Sequence, residues 1–300
     1  MTDVTTLNNR FGIQDHLSFT TDANGMVYAQ IKNRLAEAHI AVQGAHLLTW
    51  APTGQVPVIW LSEAAKFAPG KSVRGGVPIC WPWFGPHPSQ TSFPAHGYAR
   101  TVPWEVIASA ATKEGATRIS LRLIVSEATR AQWPHATPVE LHLTIGNALE
   151  CELITRNQGQ TAVTVGDALH TYFAISDIRN VEVLGLDGLE YLDKVGPSTL
   201  RKQQGAVRFA SETDRIYLES VDDCIIADPG LKRRIRIQKR GSRSSVVWNP
   251  WIEKANKMGD LGDAGYLKMV CVESTNAAAD VVNIAPGGEH RLWVRYSVEQ

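Results

Sequence analysis

What the sequence lacks narrows the choices first. No apolar run approaches the length of a membrane span, and residues 1–19 carry no hydrophobic core of a secretory signal. Only four cysteines occur, Cys80, Cys151, Cys224 and Cys271, scattered without a C-x-x-C pair. They read as buried thiols, not as a disulfide frame or zinc site. Nine histidines add no metal-ligand spacing, so no metal and no cofactor is expected. Net charge is missing too: Lys+Arg and Asp+Glu each number 30, which removes any overall attraction to nucleic acid or membrane. No internal repeat, linker or break in composition divides the chain, so residues 1–300 read as one domain. The expectation is a cytoplasmic monomer with no nucleic-acid or membrane partner.

Long helices are also absent; no segment supports more than about three turns. Short alternating segments take their place. Apolar residues recur at every second position over 27–31 and 35–42, split by a polar Lys-Asn-Arg turn, which predicts a hairpin. Further strands are predicted over 45–51, 58–61, 104–110, 117–125, 139–156 (broken at Gly146-Asn147), 162–175 and 181–186. The series continues over 216–221, 224–227, 234–239, 245–248, 266–273, 281–284 and 289–298. Short helical pieces are predicted over 62–67, over 126–133 behind a Ser cap, and from Asn249-Pro250 through Lys257 to Gly259. The fold class is therefore all-β, a sandwich or barrel with a few short helices. Seven cations crowd 232–243 (Lys232, Arg233, Arg234, Arg236, Lys239, Arg240, Arg243). Their alternation with Ile235 and Ile237 reads as the solvated face of a strand, and a nucleic-acid footprint is the weaker reading.

Residues 72–104 resemble nothing else in the chain. Prolines at 78, 82, 86, 88, 94 and 103 exclude a helix or a central strand, and glycines at 75, 76, 85 and 97 permit tight turns. Among them stand Arg74, His87, His96 and Arg100 with Trp81, Trp83, Phe84 and Tyr98. Such a loop is either a binding loop or a packed cover whose arginines are tied to carbonyls. Four other groups could carry chemistry. A strand over Ala-Leu-His-Thr-Tyr-Phe puts His170 on one face with Ala168 and Tyr172. In Met-Val-Cys-Val-Glu, Glu273 shares a face with Met269 and Cys271, and a carboxylate there must be paired, protonated or aimed into a cavity. Asp214 could accept from hydroxyl groups, and Trp248-Asn-Pro-Trp251 offers flat aromatic surface. Taken singly, each has a bland alternative: a satisfied core His, a Glu paired to an arginine, a turn-closing Asp.

Their order along the chain carries more weight. Arg-Gly-Gly-Val-Pro, Trp-Pro-Trp-Phe-Gly, His-Gly-Tyr-Ala-Arg, Leu-His-Thr-Tyr-Phe, Thr-Asp-Arg-Ile-Tyr, Trp-Asn-Pro-Trp and Val-Cys-Val-Glu follow one another from about Gly44 to near the C-terminus. As a set this resembles the hexose-6-phosphate mutarotases (glucose-6-phosphate 1-epimerases), relatives of the galactose mutarotases. One departure is Ser274-Thr275, where the family pattern has Pro or a small residue and then Gly. The resemblance implies a large antiparallel β-sandwich of the galactose-mutarotase type, with the sugar across a concave sheet. It further implies His170 and Glu273 as the acid and base that interconvert anomers, Arg74 and Arg100 as clamps on a 6-phosphate, and Asp214 on ring hydroxyls. His96 and Trp248 would line the same site, and the partner would be a small phosphosugar. Two other functions use the same residues: a non-catalytic carbohydrate-binding module, and a glycoside-cleaving enzyme with Asp214 beside Glu273.

Overall fold

Two eight-stranded antiparallel sheets dominate the computed structural model, which describes residues 3–299. The first runs in the order Thr199–Lys202, Glu190–Asp193, Thr213–Tyr217, Ser244–Asn249, Met269–Thr275, Ala168–Leu169, Ile79–Cys80, with Tyr172–Ala174 also paired to Met269–Thr275. The second runs Glu182–Leu184, Cys224–Asp228, Arg233–Arg240, Glu289–Glu299, Ala148–Arg156, Val139–Ile145, Thr117–Leu123, Trp104–Ala111. A four-stranded sheet (Leu17–Thr21, Val27–Lys32, Ala36–Ala41, His46–Pro52) and the short pair Val163–Val165 with Val282–Ile284 complete the β structure. The fold is the all-β antiparallel sandwich expected of the residue pattern.

Period-two alternation decides which face does what. Along Met269–Thr275, Val270 and Val272 enter the main core, shared with Ile235, Ile237, Leu292, Val294 and Tyr296 of the second sheet. Met269 and Cys271 face the other way, in a smaller cluster with Tyr172, Ile216, Val246 and Trp248. Each fully buried valine contributes roughly 1.5–3 kcal/mol, so slipping the register by one residue is strongly opposed. Thr171 and Tyr296 hydroxyls meet at 2.6 Å and the Phe173 and Tyr296 rings stand edge to face, which pins the two sheets together. One face of the first sheet is thus core, and the other carries the smaller cluster.

Several boundaries differ from the sequence-based expectation. Residues 62–67 form turns, not a helix: Ser62 Oγ donates to the Asp260 carbonyl, and Pro69-Gly70 stops propagation. Residues 58–61 make only isolated bridges, Ile59 to Phe173 and Leu61 to Gly75. The run over 162–175 breaks into three strands, at Gly166-Asp167 and at His170-Thr171. The helix Val4–Phe11, capped by Asp3, and the strands Leu17–Thr21, Glu190–Asp193 and Thr199–Lys202 were not expected; the last is exposed throughout and so shows no alternation. Glu127–Gln132 behind Ser126 and Trp251–Met258 before a left-handed Gly259 are helices, with Pro250 at the cap position instead of the first turn. Ile235 and Ile237 point inward as expected, but Arg233 is buried too and donates to the carbonyls of Val56, Pro57 and Ala174. Arg236 is held by Asp223 and Glu299, so the basic run is partly spent on internal pairs. Among the described residues no helix is long and apolar enough to cross a membrane.

Candidate active site

The register of one ladder assembles the centre. Leu169 pairs with Ser274 and Tyr172 with Cys271, a single continuous register that puts His170 opposite Glu273 across the gap in the strand. Directly opposed residues of an antiparallel pair project to the same face. His170 Nε2 accordingly lies 3.3 Å from Glu273 Oε1. Ser274 and Thr275 continue the strand regularly, so the departure from the family pattern leaves the backbone under Glu273 intact. Glu273 is 1 % exposed, and its Oε2 and the His170 Nδ1 have no hydrogen-bond partner among the described residues. Two unused polar atoms at that depth are costly unless a ligand satisfies them.

Arg74 is placed by the glycines that follow it. A Cβ on Gly75 would strike the backbone of Trp60 and Leu61, and one on Gly76 would strike Leu47 and His46. Both have positive φ, so this backbone thread demands glycine. His46 Nε2 bonds the Gly75 carbonyl at 2.8 Å, and Gly76 is tied to Trp60 and Tyr172. Arg74 then donates from Nε to Asp260 Oδ1 and from Nη1 to the Tyr172 hydroxyl, both at 3.0 Å. Tyr172 stacks on His170, with ring centroids 5.0 Å apart. The bland expectation of an arginine paired to an acid is therefore met in part, yet three of the five guanidinium N–H groups remain for a ligand.

The rest of the proline-rich stretch closes over the sheet edge. Its only strand, Ile79–Cys80, sits at that edge between Pro78 and Pro82, where proline is tolerated. His96 packs edge to face on both His170 and Phe84. Its Nδ1 accepts from the Gly85 N–H, which leaves Nε2 as the protonated nitrogen. Gly97 must be glycine, because a Cβ would overlap the Trp81 carbonyl. Arg100 gives one N–H to the Ala95 carbonyl and has no carboxylate partner among the described residues. His87, by contrast, caps the Ser89-Gln90 turn within the loop.

Trp248 pairs with Cys271 and Asp214 with Trp248, so all three share the His170 face. Trp248 stands edge to face against both His170 and Tyr172. Asp214 lies 3.9 Å from Lys254 Nζ and is two strands over and two residues along from Glu273, about 12 Å between Cα atoms by strand geometry. Four neighbours escaped the sequence reading. Tyr172 shared the predicted face of His170, and so carried a signal. Cys271 likewise shared the predicted face of Glu273, whereas Asp260 joins Arg74 from 186 positions away and Trp60 enters through packing, so neither of these had one.

Burial sets the proton states. It pushes the Glu273 carboxyl well above the carboxylate range, Asp214 adding to the shift and the Arg100 charge opposing it. It pushes His170 well below the usual imidazole range, with His96 and Arg100 reinforcing. His96 falls to about 4 through burial and Arg100, and burial also raises Asp214. These shifts favour a protonated Glu273 facing a neutral His170. Moving one proton across the 3.3 Å contact gives the ion pair instead, at no change in total proton count.

Known proteins resemble this chain over most of its length. The family model described as Aldose 1-epimerase matches residues 28–297. A protein of Escherichia coli (strain K12) named "Putative glucose-6-phosphate 1-epimerase" is 39% identical over 243 residues, 81% of this chain and 80% of that protein. A protein of the same name from Salmonella typhimurium is 41% identical over 244 residues, covering 81% of each. The crystal structure of "a putative mutarotase (YeaD) from Salmonella typhimurium" superposes with a TM-score of 0.90 at 34% identity, over 97% of this chain and 96% of that one. With residues 28–297 matched by the family model and 97% of the chain superposed on a mutarotase fold, the chain belongs to the aldose 1-epimerase family and is an isomerase.

Proposed function

We propose that this isomerase interconverts the α and β anomers of an aldohexose 6-phosphate, with D-glucose 6-phosphate as its substrate. The observation that carries the reading is the opposed His170–Glu273 pair at 3.3 Å, the glutamate buried and the histidine half-buried, with one acceptor and one ring nitrogen unpartnered among the described residues. Mutarotation needs a proton taken from the C1 hydroxyl while another reaches the ring oxygen. Glu273 as carboxylate removes the first, and His170 as imidazolium supplies the second. The C1–O5 bond breaks, the C1 hydroxyl becomes an aldehyde, and the pair is left as Glu273 acid and neutral His170. Rotation about C1–C2 presents the other carbonyl face. Reclosure runs both transfers backwards, which regenerates the starting proton state. Each positioned proton transfer is typically worth about 10²–10⁴-fold.

Burial thus favours, in this pair, the proton state that accompanies the ring-opened sugar. Binding the cyclic sugar must shift it toward the ion pair, and the phosphate can contribute. Arg100 and Arg74 both depress His170 by their charge. A phosphate dianion held by these two arginines offsets that field and favours the imidazolium. Arginine suits this role because its planar, permanently charged fork meets phosphate with two bonds at once. Asp214 would accept from ring hydroxyls and Trp248 would wall the pocket. The reading is supported by the names of the relatives, by the convergence of His170, Glu273, His96 and Trp248, and by the two cations acting on one imidazole.

The direct test adds the protein to freshly dissolved α-D-glucose 6-phosphate and follows optical rotation. Catalytic amounts should speed the approach to equilibrium. Binding without acceleration would make this a phosphosugar-binding sandwich and overturn the proposal.

A further inference from the structure

Cys271 lies beside Glu273 and opposite Tyr172, and the proposed proton transfers make no use of it. Cys271 is fully buried, shares the face of Glu273 and pairs with Tyr172 and Trp248 across its two neighbouring strands. One ligand atom each from His170, Cys271 and Glu273 lies within 4.8 Å of the others. The sequence hid this set, because His170 stands about a hundred positions from the other two; the ladder register brings it together. The His170 Nε2 to Glu273 Oε1 separation of 3.3 Å is also informative. Two ligands about 2.0–2.1 Å from a tetrahedral zinc stand about 3.3–3.4 Å apart, so these atoms already span one edge of such a polyhedron. Glu273 Oε2, buried and without a partner, adds a free lone pair at the same spot.

We infer that His170, Cys271 and Glu273 form a binding site for a thiophilic divalent cation such as Zn²⁺, whose occupancy blocks the catalytic pair. Charge balance favours it. Zn²⁺ with a thiolate, a carboxylate and a neutral imidazole is neutral overall, which suits a buried site. The thiol proton, and that of Glu273 where it is protonated, leave to solvent on binding. Arg74 and Arg100 work against any cation here, so only an ion that gains a thiolate bond overcomes them; Mg²⁺ and Ca²⁺, which prefer oxygen ligands, do not. A bound ion takes the carboxylate and imidazole that the sugar needs. The metal is an inhibitor and takes no part in turnover.

The test is direct binding of Zn²⁺ in competition with a chromophoric chelator, alongside the anomerisation rate. One ion per chain should bind at micromolar or lower concentration, and activity should fall with the same concentration dependence. Chelator should restore activity fully, and 1 mM Mg²⁺ or Ca²⁺ should do nothing. Cys271→Ala should weaken zinc affinity at least 100-fold and keep most of the metal-free activity; Cys271→Ser serves if the alanine variant folds poorly. With Co²⁺, the thiolate-to-metal absorption should be present in wild type and absent in Cys271→Ala. No zinc bound at 100 µM, or binding and inhibition unchanged in both cysteine variants, overturns the inference. Because binding is read without substrate, a protein that proves inactive on glucose 6-phosphate still decides this question.

Discussion

Replacing Arg74 by alanine separates recognition of phosphate from chemistry. In the structure Arg74 spends one N–H on Asp260 and one on the Tyr172 hydroxyl, both at 3.0 Å, and keeps three for a ligand. The substitution would remove the proposed charge-assisted hydrogen bond to the 6-phosphate, worth about 1.5–3 kcal/mol. At about 1.4 kcal/mol per decade this is roughly a 10- to 150-fold loss in kcat/KM for glucose 6-phosphate. Glucose, with no anion to hold, should lose much less, on the order of threefold, through the loosened Tyr172 against which His170 stacks. The control is Asp260→Asn. It keeps the guanidinium and the phosphate bond but relaxes the orientation, so its loss should be smaller and similar on both sugars. Both rates are read by exchange spectroscopy on each sugar, with thermal unfolding to confirm the fold. Equal losses on phosphorylated and plain glucose in Arg74→Ala would refute the assignment and leave Arg74 as a strut for Tyr172.

Three further outcomes follow from the same geometry. Tyr172→Phe removes one of Arg74's two anchors but not the ring stacked on His170, so kcat should fall by less than tenfold while KM for glucose 6-phosphate rises; a loss as deep as that of a Glu273 variant would give the hydroxyl a role in proton transfer. The pH profile of kcat/KM should be a broad bell, falling in acid through the depressed His170 and in base through the raised Glu273, because the singly protonated pair spans the interval between them; a monotonic rise across that interval would contradict the pair. Stability should drop in acid. Burial holds His46 at about 4 against an ordinary 6.5, so folding favours its neutral form, and stability present above 6.5 is lost as pH falls toward about 4. This corresponds to about 3 kcal/mol. His46→Gln, which can still donate to the Gly75 carbonyl, should flatten the dependence of Tm on pH over that range, and an unchanged slope would exclude His46 as a source.

Much of this was legible in the residues because strand alternation is a local signal. The faces of His170 and Glu273 follow from period two within each strand, and the structure keeps both assignments. Their opposition at 3.3 Å was not legible, since nothing in either strand states which partner it takes or in what register. The Gly75-Gly76 thread was readable as a tight passage, but not the Leu47 and Trp60 backbones that make it tight. Residues 62–67 misled because the apolar spacing of a helix competes there with a serine bound to a carbonyl almost 200 positions away. Thr199–Lys202 was missed because an exposed edge strand has no inner face to alternate against. Asp260 shows the same limit, and so does the nearness of His170 to Cys271, since only long-range pairing sets these residues beside one another.

In the proposed reaction the half-buried His170 and the buried Glu273 move the two protons of anomer exchange. The measurement closest to it is two-dimensional ¹H exchange spectroscopy on glucose 6-phosphate at equilibrium, with wild type, His170→Ala and Glu273→Gln. Glu273→Gln keeps the shape and can still donate to His170, so its fold should hold. The account requires α–β exchange peaks with wild-type protein and a loss of at least 10²-fold in each variant, with both variants folded by thermal unfolding and circular dichroism. Exchange near the wild-type rate in either folded variant would remove that residue from the reaction and contradict the account.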